Sequence, residues 1–480
     1  MERRTKIVAT VGPASDRLET LRAMIAAGVD MVRLSLSHGP LVETLSRICQ
    51  VREAGDAEGR IVGVLADLPG PKIRAAAFPE GGVHLAEGAR LELASAASDD
   101  TSNEQRIAVD HPALFEDLRP GDAVVLGDGA PRLVIEEVGA ARAVAVVQTG
   151  GWAQGRPGVS PPPGRIRLSS PTPEDIALLE SLSGEVDAVA VSFVRSAGDV
   201  DRARDAITTG NPMVFAKIET QEAVDAIDEV IAVADGVMVA RGDLGIRCAL
   251  EDVPHYQKQI IRTGVAYGRP VITATQMLES MVRAPTPTRA EVSDVANAVF
   301  DGTSAVMLSG ETAIGHDPVA AVRTMARIAR RAEQDFDFHG WGRSLGRQLT
   351  TEASEAQGHD RITAAVSAAA WRAALDAEAA AIIACTNSGW TARAISRFRP
   401  TMPIVAATPS VGTARQLSVA WGITPMVTDR HGTTDEIVWF AVEAAVRSGV
   451  VRSGDVVAVL VGSPDDVDPA TDTLRLVRVR

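Results

Sequence analysis

The chain has 480 residues, 46% of them hydrophobic, which is enough for about two to four domains with large cores and argues against extensive disorder. Its net charge is −14, from 48 basic and 62 acidic residues, so nucleic acid and anionic membranes are disfavoured as partners. The sequence shows no signal-peptide pattern and no apolar stretch near the roughly 20 residues of a membrane helix. Three scattered cysteines have no paired or metal-binding spacing, so we expect a protein of the reducing cytoplasm.

Short, nearly continuous apolar segments alternate with helix-like segments over two stretches of the chain. Such segments are typical of parallel strands that are buried on both faces. The predicted strands are Lys6–Val11, Val29–Ser35, Ile61–Asp67, Asp187–Phe193, Met213–Glu219, Gly236–Arg241, Pro270–Thr275 and Ser304–Ser309. Helical patterns such as Leu18–Ala27 and His255–Tyr267 separate them, so the predicted fold class is α/β with a (β/α)8 TIM barrel.

The third βα unit is interrupted between Asp67 and Pro173 by a segment without helical periodicity. Strand-like runs and Gly-Asp turns in it predict a small inserted β-barrel domain, either a lid over the barrel mouth or an insert without that role. After the barrel, a polar segment predicts a linker, and alternating helices and strands then predict an α/β sandwich. The predicted domains are the catalytic barrel (1–70 and 165–337), the lid (71–164), the linker (338–360) and a C-terminal regulatory domain (361–480).

Lys217 and Glu219 lie two residues apart on one predicted strand, so their side chains point the same way. A phosphate and a divalent cation sharing one site would explain the pair, with Lys217 facing phosphoryl oxygens and Glu219 holding the metal. The alternative is a structural ion pair. Asp243 ends the next strand, so the two carboxylates predict a site for Mg²⁺ or Mn²⁺, and Gly242 lets a ligand approach the backbone.

Polar residues also follow the other predicted strands at the end where barrel enzymes place their active sites. This clustering at one end predicts an active site there. The residues are Pro13, Arg33, Ser35, Ser37, His38, Asp67, Thr275, Gln276 and Glu311.

Longer motifs support a family assignment. They are Arg4–Ser15, Arg33–Gly39, Gly70–Arg74, Ser192–Arg195, Ala274–Met281, Pro287–Glu291 and Leu308–Thr312. Together with the segments around Lys217 and Asp243, they resemble the pyruvate kinase family. The match is strong through most of 1–75 and 187–320, weaker in 76–186 and moderate from 360 onward.

The resemblance implies a phosphotransferase that passes the phosphoryl group of phosphoenolpyruvate to ADP and leaves enolpyruvate, which is then protonated. Lys217 matches the lysine at the transferring phosphoryl group, and Glu219 and Asp243 match the Mg²⁺ ligands. Thr275 matches the residue near the substrate carboxylate, which the backbone of Gly242 and Asp243 would hold. The family also implies a homotetramer.

The resemblance assigns further phosphate and nucleotide contacts. Arg33 and Arg74 match phosphate-contacting arginines, with pairing to barrel acids as the alternative. Pro13 and His38 match positions beside the nucleotide, although His38 could instead cap a surface helix. The family places a lysine near the nucleotide where this chain has Pro157, so contacts from the lid are in question.

A monovalent-cation site is implied at Ser35, Ser37, Asp67 and Leu68, but the chain departs from the family there. Asn is usual at Ser35 and Thr at Leu68, and Glu is usual where this chain has Lys72. An ammonium at Lys72 would replace the cation, so we expect that K⁺ is not required. The alternative is that Lys72 points into solvent at the lid hinge.

A phosphorylated allosteric effector is expected at a loop that follows a predicted strand and opens a helix, where N–H groups and hydroxyls can hold phosphate. Its residues are Thr386, Asn387, Ser388, Gly389 and Thr391. The alternative is an ordinary capped helix start. Because the loop 462–469 is acidic and lacks arginine, a monophosphate is expected rather than a bisphosphate.

Two other classes of function remain open at this point. One is a barrel lyase that acts on metal-bound pyruvate enolate and needs no nucleotide. The other is a non-catalytic paralogue with a regulatory or binding role.

Overall fold

The computed structural model describes residues 3–37, 39–97, 100–127, 129–162, 169–352, 359–462 and 471–480. The first part of the chain forms three parallel strands and the helices between them. These are β1 (Lys6–Thr10), α1 (Leu18–Ala27), β2 (Met31–Ser35), α2 (Leu41–Ala57) and β3 (Gly63–Asp67). The strands are almost wholly buried, which matches their continuous apolar sequence.

The insert forms its own sheets around its own apolar core. Its elements are β4 (Val83–Leu85), β5 (Arg90–Ser95), β6 (Arg106–Val109), α3 (Leu114–Asp117), β7 (Ala123–Leu126), β8 (Arg132–Val138), β9 (Arg142–Thr149), β10 (Gly151–Ala153) and β11 (Val159–Ser160). A six-stranded sheet has the order β11-β7-β8-β9-β5-β6, and β10 pairs with β4. A separate core is what a small inserted domain requires.

The chain then returns to the barrel. The elements are α4 (Pro173–Leu182), β12 (Ala188–Val191), α5 (Ala197–Asp205), β13 (Met213–Ile218), α6 (Gln221–Asp225), α7 (Ile227–Val233), β14 (Gly236–Ala240), α8 (Arg241–Arg247), α9 (Val253–Ala266), β15 (Val271–Ala274), α10 (Arg289–Phe300), β16 (Ala305–Leu308), α11 (Gly310–Ala313) and α12 (Pro318–Glu333). The strands close in the order β1-β16-β15-β14-β13-β12-β3-β2. Every barrel strand lies within its predicted segment, so the predicted (β/α)8 barrel is confirmed.

The C-terminal part is an α/β sandwich with a mixed sheet. Its elements are α13 (Phe338–Glu352), α14 (His359–Asp376), β17 (Ala381–Cys385), α15 (Trp390–Ser396), β18 (Ile404–Thr408), α16 (Val411–Gln416), β19 (Ile423–Val427), α17 (Thr434–Arg447), β20 (Val456–Val461) and β21 (Thr473–Arg478). The sheet order is β19-β18-β17-β20-β21, with β21 antiparallel. Helix α13 occupies much of the predicted linker, and β19 was not predicted.

The C-terminal domain packs against the amino end of the barrel. Gly422 N–H donates to Arg4 O at 2.9 Å, and Lys6 Nζ donates to Ile423 O at 2.8 Å. Val419 packs with side chains of the barrel interior, including Leu65. The carboxyl end, where active sites of such barrels lie, is therefore the end away from this domain. Among the described residues, no helix is long and apolar enough to cross a membrane.

Candidate active site

Lys217 is the centre of a buried polar cluster at the carboxyl end of the barrel. Its Nζ lies 3.2 Å from Asp67 Oδ1 and 3.0 Å from Glu219 Oε1, and it donates to Ser192 Oγ at 2.7 Å. These side chains come from β13 and from the ends of β3 and β12, which are neighbours in the barrel. The structure thus brings Lys217, Glu219 and Asp67 together. Ser192 was not predicted as a site residue, although it follows β12 at the same end.

Arg33 lies on the other side of Asp67. Its Nε donates to Asp67 Oδ2 at 2.6 Å, and its Nη1 donates to Thr10 Oγ1 at 3.1 Å. Arg33 therefore does pair with a barrel acid in this structure, which was the alternative to a phosphate contact. The pair also holds the guanidinium within the Lys217 cluster, where it could exchange the carboxylate for a ligand oxygen.

The pKa values in the cluster depart from their ordinary values because charge and burial compete. Burial alone would raise the pKa of Asp67, but Arg33 and Lys217 outweigh it and lower that pKa. Burial alone would lower the pKa of Lys217, but Asp67 and Glu219 outweigh it and raise that pKa. For Glu219, burial and then the charge of Asp243 raise the pKa against the opposite effect of Lys217. Lys217 is thus firmly cationic, and Glu219 has less charge compensation than Asp67.

Among the described residues, the Lys217 ammonium is the one polar partner of the buried Oε1 of Glu219. The Oε2 of Glu219 accepts from Phe193 N–H at 2.7 Å, whereas Oε1 lies 3.0 Å from Lys217 Nζ. Asp243 begins α8, and its nearest cation is Lys72, at 3.5 Å from Oδ1. Two carboxylates near one another are a ligand type that hard cations prefer. Among the described residues, no group of three or more His, Cys, Asp or Glu side chains is placed to hold a metal ion.

Thr275 follows β15 in a strained conformation. Its φ is +68° and that of Gln276 is +53°, both in the left-handed region. The Thr275 hydroxyl donates to Ala274 O at 2.6 Å and accepts from Gly242 N–H at 2.8 Å. A substrate carboxylate that binds this N–H must displace the hydroxyl, which brings Thr275 next to the substrate.

Arg241 holds the turn at Thr275 and Gln276 in place through hydrogen bonds. Its Nη2 donates to Thr275 O at 2.7 Å, and Nη1 donates to Asp294 Oδ1 at 2.7 Å. Glu311, one of the polar residues expected at this end of the barrel, accepts backbone N–H bonds from Leu278 at 2.9 Å and Ser309 at 2.6 Å. Asp294 is the acid that orients Arg241, and no sequence motif had indicated it.

The segment that leads from the barrel into the insert packs against the site. Gly70 has a φ of +67°, and a Cβ there would lie 2.6 Å from Ser192 Cβ, so only glycine lets the hinge pack this closely. Lys72 follows and reaches Asp243 rather than bulk solvent alone. Of the predicted monovalent site, Ser35 is paired in register with Asp67. Leu68 O already accepts from Ser192 Oγ at 2.7 Å.

The predicted nucleotide residues are less closely grouped. Pro13 is exposed in the loop after β1, and His38 lies outside the described residues. Arg74 is half-buried, and its backbone N–H donates to Asp110 at 2.8 Å. Pro157 O accepts from Ala75 N–H at 2.9 Å, so the outgoing and returning segments at the base of the insert are hydrogen-bonded to each other.

The predicted effector loop connects β17 and α15. Thr386 Oγ1 accepts from Gly389 N–H at 2.9 Å, and Ser388 Oγ accepts from Trp390 N–H at 3.4 Å. Thr391 Oγ1 lies 2.6 Å from Thr471 Oγ1, and Asn387 O accepts from a threonine hydroxyl at 2.8 Å. Two of the N–H groups that a phosphate would use are therefore engaged within the loop. Most of the acidic segment 462–469 lies outside the described residues.

Comparisons with known proteins agree with this geometry. The family model "Pyruvate kinase, barrel domain" matches residues 2–322, and "Pyruvate kinase, alpha/beta domain" matches residues 364–477. A pyruvate kinase of Geobacillus stearothermophilus is 40% identical over 99% of this chain and 80% of its own length. Those of Clostridium acetobutylicum and Methylorubrum extorquens are 38% and 39% identical over 98% and 99% of this chain and 99% and 98% of their own lengths.

These matches span the whole chain, and they support neither the lyase nor the non-catalytic paralogue. The chain belongs to the pyruvate kinase family and is a phosphotransferase that converts phosphoenolpyruvate and ADP to pyruvate and ATP in the last step of glycolysis.

Proposed function

We propose that Lys217, Glu219 and Asp243 form the reaction centre of this pyruvate kinase. The observation that carries the proposal is the buried Glu219 carboxylate, whose Oε1 contacts only the Lys217 ammonium, at 3.0 Å, among the described residues. Because a carboxylate oxygen can accept more than one partner and Glu219 also feels the negative charge of Asp243, a divalent cation that neutralises both carboxylates is favoured. The family generally uses a divalent metal, and the carboxylate pair suits Mg²⁺ or Mn²⁺.

The metal would supply charge neutralisation for the phosphoryl group, and Glu219 and Asp243 would hold it. Lys217 has the complementary role. Its ammonium is desolvated and stays protonated, so it can exchange Asp67 and Glu219 for phosphoryl oxygens as negative charge develops on them. Arg33, which donates to the same Asp67, can make a second such exchange.

The substrate carboxylate would lie against the N–H groups of Gly242 and Asp243 at the start of α8. Thr275 occupies that position in the structure, because its hydroxyl accepts from Gly242 N–H. Displacement by the carboxylate would leave the Thr275 hydroxyl beside the enolate, where it can assist protonation.

The nucleotide would bind between the barrel mouth and the lid, against Pro13, His38 and Arg74. The family binds ADP, and Arg74 supports this position because its guanidinium makes no hydrogen bond among the described residues. Since Pro157 cannot provide the family's lid lysine, Arg74 would carry most of the charge that contacts the nucleotide phosphates.

The protein would not require K⁺. Lys72 Nζ lies 3.5 Å from Asp243 Oδ1, so its ammonium brings a fixed positive charge to the metal carboxylates. Ser35, Ser37, Asp67 and Leu68 would then form a degenerate monovalent-cation site. Activity in sodium buffer should be close to that in potassium buffer, and a tenfold or greater increase on adding K⁺ at saturating Mg²⁺ would refute this proposal.

The metal assignment is tested by titrating Mg²⁺ against Glu219→Gln in a coupled assay with phosphoenolpyruvate and ADP. We expect the half-saturating Mg²⁺ concentration to rise about 10- to 100-fold. Glu229→Gln, an exposed carboxylate on α7, is the matched control and should titrate like the wild type. Binding of Mn²⁺ followed by electron paramagnetic resonance gives a second readout, and an unchanged affinity in Glu219→Gln would exclude Glu219 as a ligand.

Regulation would act through the Thr386–Thr391 loop, which we propose binds the phosphate of a monophosphate effector such as AMP or a sugar monophosphate. The loop hydroxyls would turn from Gly389 and Trp390 N–H to the phosphate. Activation by fructose 1,6-bisphosphate with none by monophosphates would contradict this.

We also propose a cytoplasmic homotetramer whose chain has the predicted barrel, lid, linker and C-terminal regulatory domain, and sedimentation analysis tests the assembly.

A further inference from the structure

Three arginines are buried together where the C-terminal domain meets the amino end of the barrel. Arg393 lies on α15, and Arg397 and Arg399 follow its end; their side chains and backbones together are only 9%, 7% and 2% exposed. With Ser304 and Trp421 they line one small cavity. We call these three residues the seam arginines.

The hydrogen bonds of the seam arginines go to uncharged acceptors. Arg397 Nη1 donates to Ala266 O at 3.2 Å, and Arg399 Nη2 donates to Gly302 O at 2.6 Å. Arg393 Nη1 reaches only Ser388 O, at 3.4 Å. Within the described part of the chain, no carboxylate lies in ion-pair range of any of the three. Their positive charges are therefore not compensated by the protein around them.

The Nε–H groups of the seam arginines are buried donors without an acceptor. None of the three has a hydrogen-bond partner among the described residues. The guanidinium faces stack on aromatic rings, with the Arg399 Cζ 4.6 Å from the Trp421 centroid and the Arg393 Cζ 5.7 Å from that of Trp390. Contacts with the rings stabilise the faces of the guanidinium groups, but they provide no hydrogen-bond acceptor for the N–H groups in the guanidinium plane.

The nearest acids are already engaged. Glu333, which lies toward Arg399, accepts from the backbone N–H groups of Arg4 and Thr5. Asp235, which lies toward Arg393, accepts from Arg204 and from a backbone N–H. Both carboxylates act on the arginines only from beyond ion-pair distance.

Burial therefore lowers the pKa of Arg393 and of Arg397 to about 10, and that of Arg399 to about 9. All three stay protonated at neutral pH. Uncompensated buried charges cost several kcal/mol each, and a bound counter-ion is the simplest compensation.

We propose that the cavity between Arg393, Arg397 and Arg399 binds a compact inorganic anion, which offsets their charge and stabilises the contact between the barrel and the C-terminal domain. The cavity has a volume of about 10 Å³, which is the space that one water-sized particle occupies. Chloride is larger than a water molecule and fits if the flexible guanidinium groups move slightly apart, whereas inorganic phosphate needs them to move further. An organic phosphate ester is too large.

The test measures thermal unfolding of the full chain while sodium chloride, or sodium phosphate, replaces sodium gluconate at constant ionic strength. We expect a saturable rise in Tm with at least one of the two anions. In Arg393→Met the apparent affinity for that anion should fall at least tenfold. Arg393 is chosen because it makes no bond to the barrel, so its loss leaves the other contacts across the seam in place.

Arg372→Met is the matched control, because Arg372 is an exposed arginine on α14 paired with Asp376. It should respond to anions like the wild type. Without anion, Arg393→Met should unfold no lower than the wild type, since it removes an uncompensated charge. Equal anion responses in wild type and Arg393→Met would overturn the proposal.

Crystals soaked in bromide provide a direct readout that does not depend on stability. An anomalous peak within hydrogen-bond range of the three Nε atoms in the wild type, absent in Arg393→Met, is the expected result. Density that carries no anomalous signal at this position, together with a Tm that changes with neither chloride nor phosphate, would show a water instead and would refute anion binding.

Discussion

The Lys217 cluster at the carboxyl end of the barrel and the seam arginines at its amino end bury charge in opposite ways. At the carboxyl end, cations and carboxylates alternate: Lys217 lies between Asp67 and Glu219, and Arg33 pairs with Asp67. At the amino end, two of the seam arginines, Arg397 and Arg399, donate to main-chain carbonyls of the barrel. A side chain whose charge is paired with an opposite charge can exchange that partner for a charged ligand at small net cost in free energy. A charge held by backbone carbonyls cannot leave without opening the interface.

The first arrangement suits catalysis, and the second suits a stable contact between two domains. Side chains at the carboxyl end are held in place yet can change partners, as phosphoryl transfer requires. Those at the amino end join two domains, and their loss should affect stability before activity. Substitutions at the two ends should therefore have separable effects.

The largest effect is expected from Lys217→Met. Loss of the ammonium should lower kcat by about 10³-fold, because the charge that develops on the phosphoryl group loses its nearest fixed cation. The far-ultraviolet circular dichroism spectrum should stay that of the wild type. Lys258→Met, which removes a partly exposed lysine paired with Asp301, is the control and should keep its activity. If Lys217→Met kept most of the wild-type turnover, its assigned role would be wrong.

The opposite pattern is expected from Asp30→Asn at the amino end. Asp30 pairs with Arg3 at 2.8 Å and Arg60 at 3.1 Å, and it accepts from Ile7 N–H. Removing the carboxylate should lower the free energy of unfolding by about 3 kcal/mol at neutral pH, while kcat per folded molecule stays unchanged. Chemical denaturation measures the first quantity, and Asp228→Asn, on the exposed face of α7, is the control.

The pH dependence of this loss of stability follows from the direction in which the pKa of Asp30 is shifted. Burial alone would raise the pKa of Asp30, but Arg3, Lys6 and Arg60 outweigh it and lower that pKa below its ordinary value. The stabilisation is therefore complete above the unfolded pKa of about 4 and is lost as pH falls through the lower folded pKa. The difference between wild type and Asp30→Asn should shrink below about pH 4. A difference that grew on acidification would have the wrong sign.

A smaller effect is expected from Asp243→Asn. One metal ligand loses its charge, so the Mg²⁺ concentration for half-maximal activity should rise about tenfold or more, while kcat at saturating Mg²⁺ falls less. The readout is the Mg²⁺ titration of steady-state rates. Asp252→Asn, just before α9, provides a comparison outside the site. An unchanged titration would remove Asp243 from the metal site.

The smallest change is expected from Lys72→Glu. The new carboxylate would add negative charge beside Asp243, so activity should become K⁺-dependent by about tenfold through charge pairing. Rates in sodium and potassium chloride at equal ionic strength measure this. Lys72→Met removes the ammonium without adding a carboxylate and should show a weaker K⁺ response. Equal K⁺ responses in both variants would mean that the introduced carboxylate creates no site for the ion.

The barrel could be predicted closely because its strands are buried on both faces and are therefore almost purely apolar. β19 was missed because only Ile423 of its residues is buried and it contains Pro425, so it lacks that signature. Because polar residues follow the predicted strands at one end, the sequence was enough to place Lys217, Glu219 and Asp67 together.

Other parts of the site could not be predicted because they depend on contacts between distant helices and loops. Asp294 reaches Arg241 from the middle of α10, and Glu311 binds backbone rather than a side chain. The seam arginines belong to an unremarkable helix end. Only the packing of the C-terminal domain on the barrel shows that they are buried without acids.

Closure of the barrel has a consequence for synthesis on the ribosome. Lys6 of β1 pairs with Ala305 of β16. Strand β1 therefore lacks one of its two neighbouring strands until nearly the whole barrel has been translated. Until then β1 is an open edge that can pair wrongly with other chains. The insert, with its own apolar core, can fold during this delay. We therefore expect nascent chains that stop before β16 to need chaperone protection, even though the finished barrel leaves no strand edge unpaired.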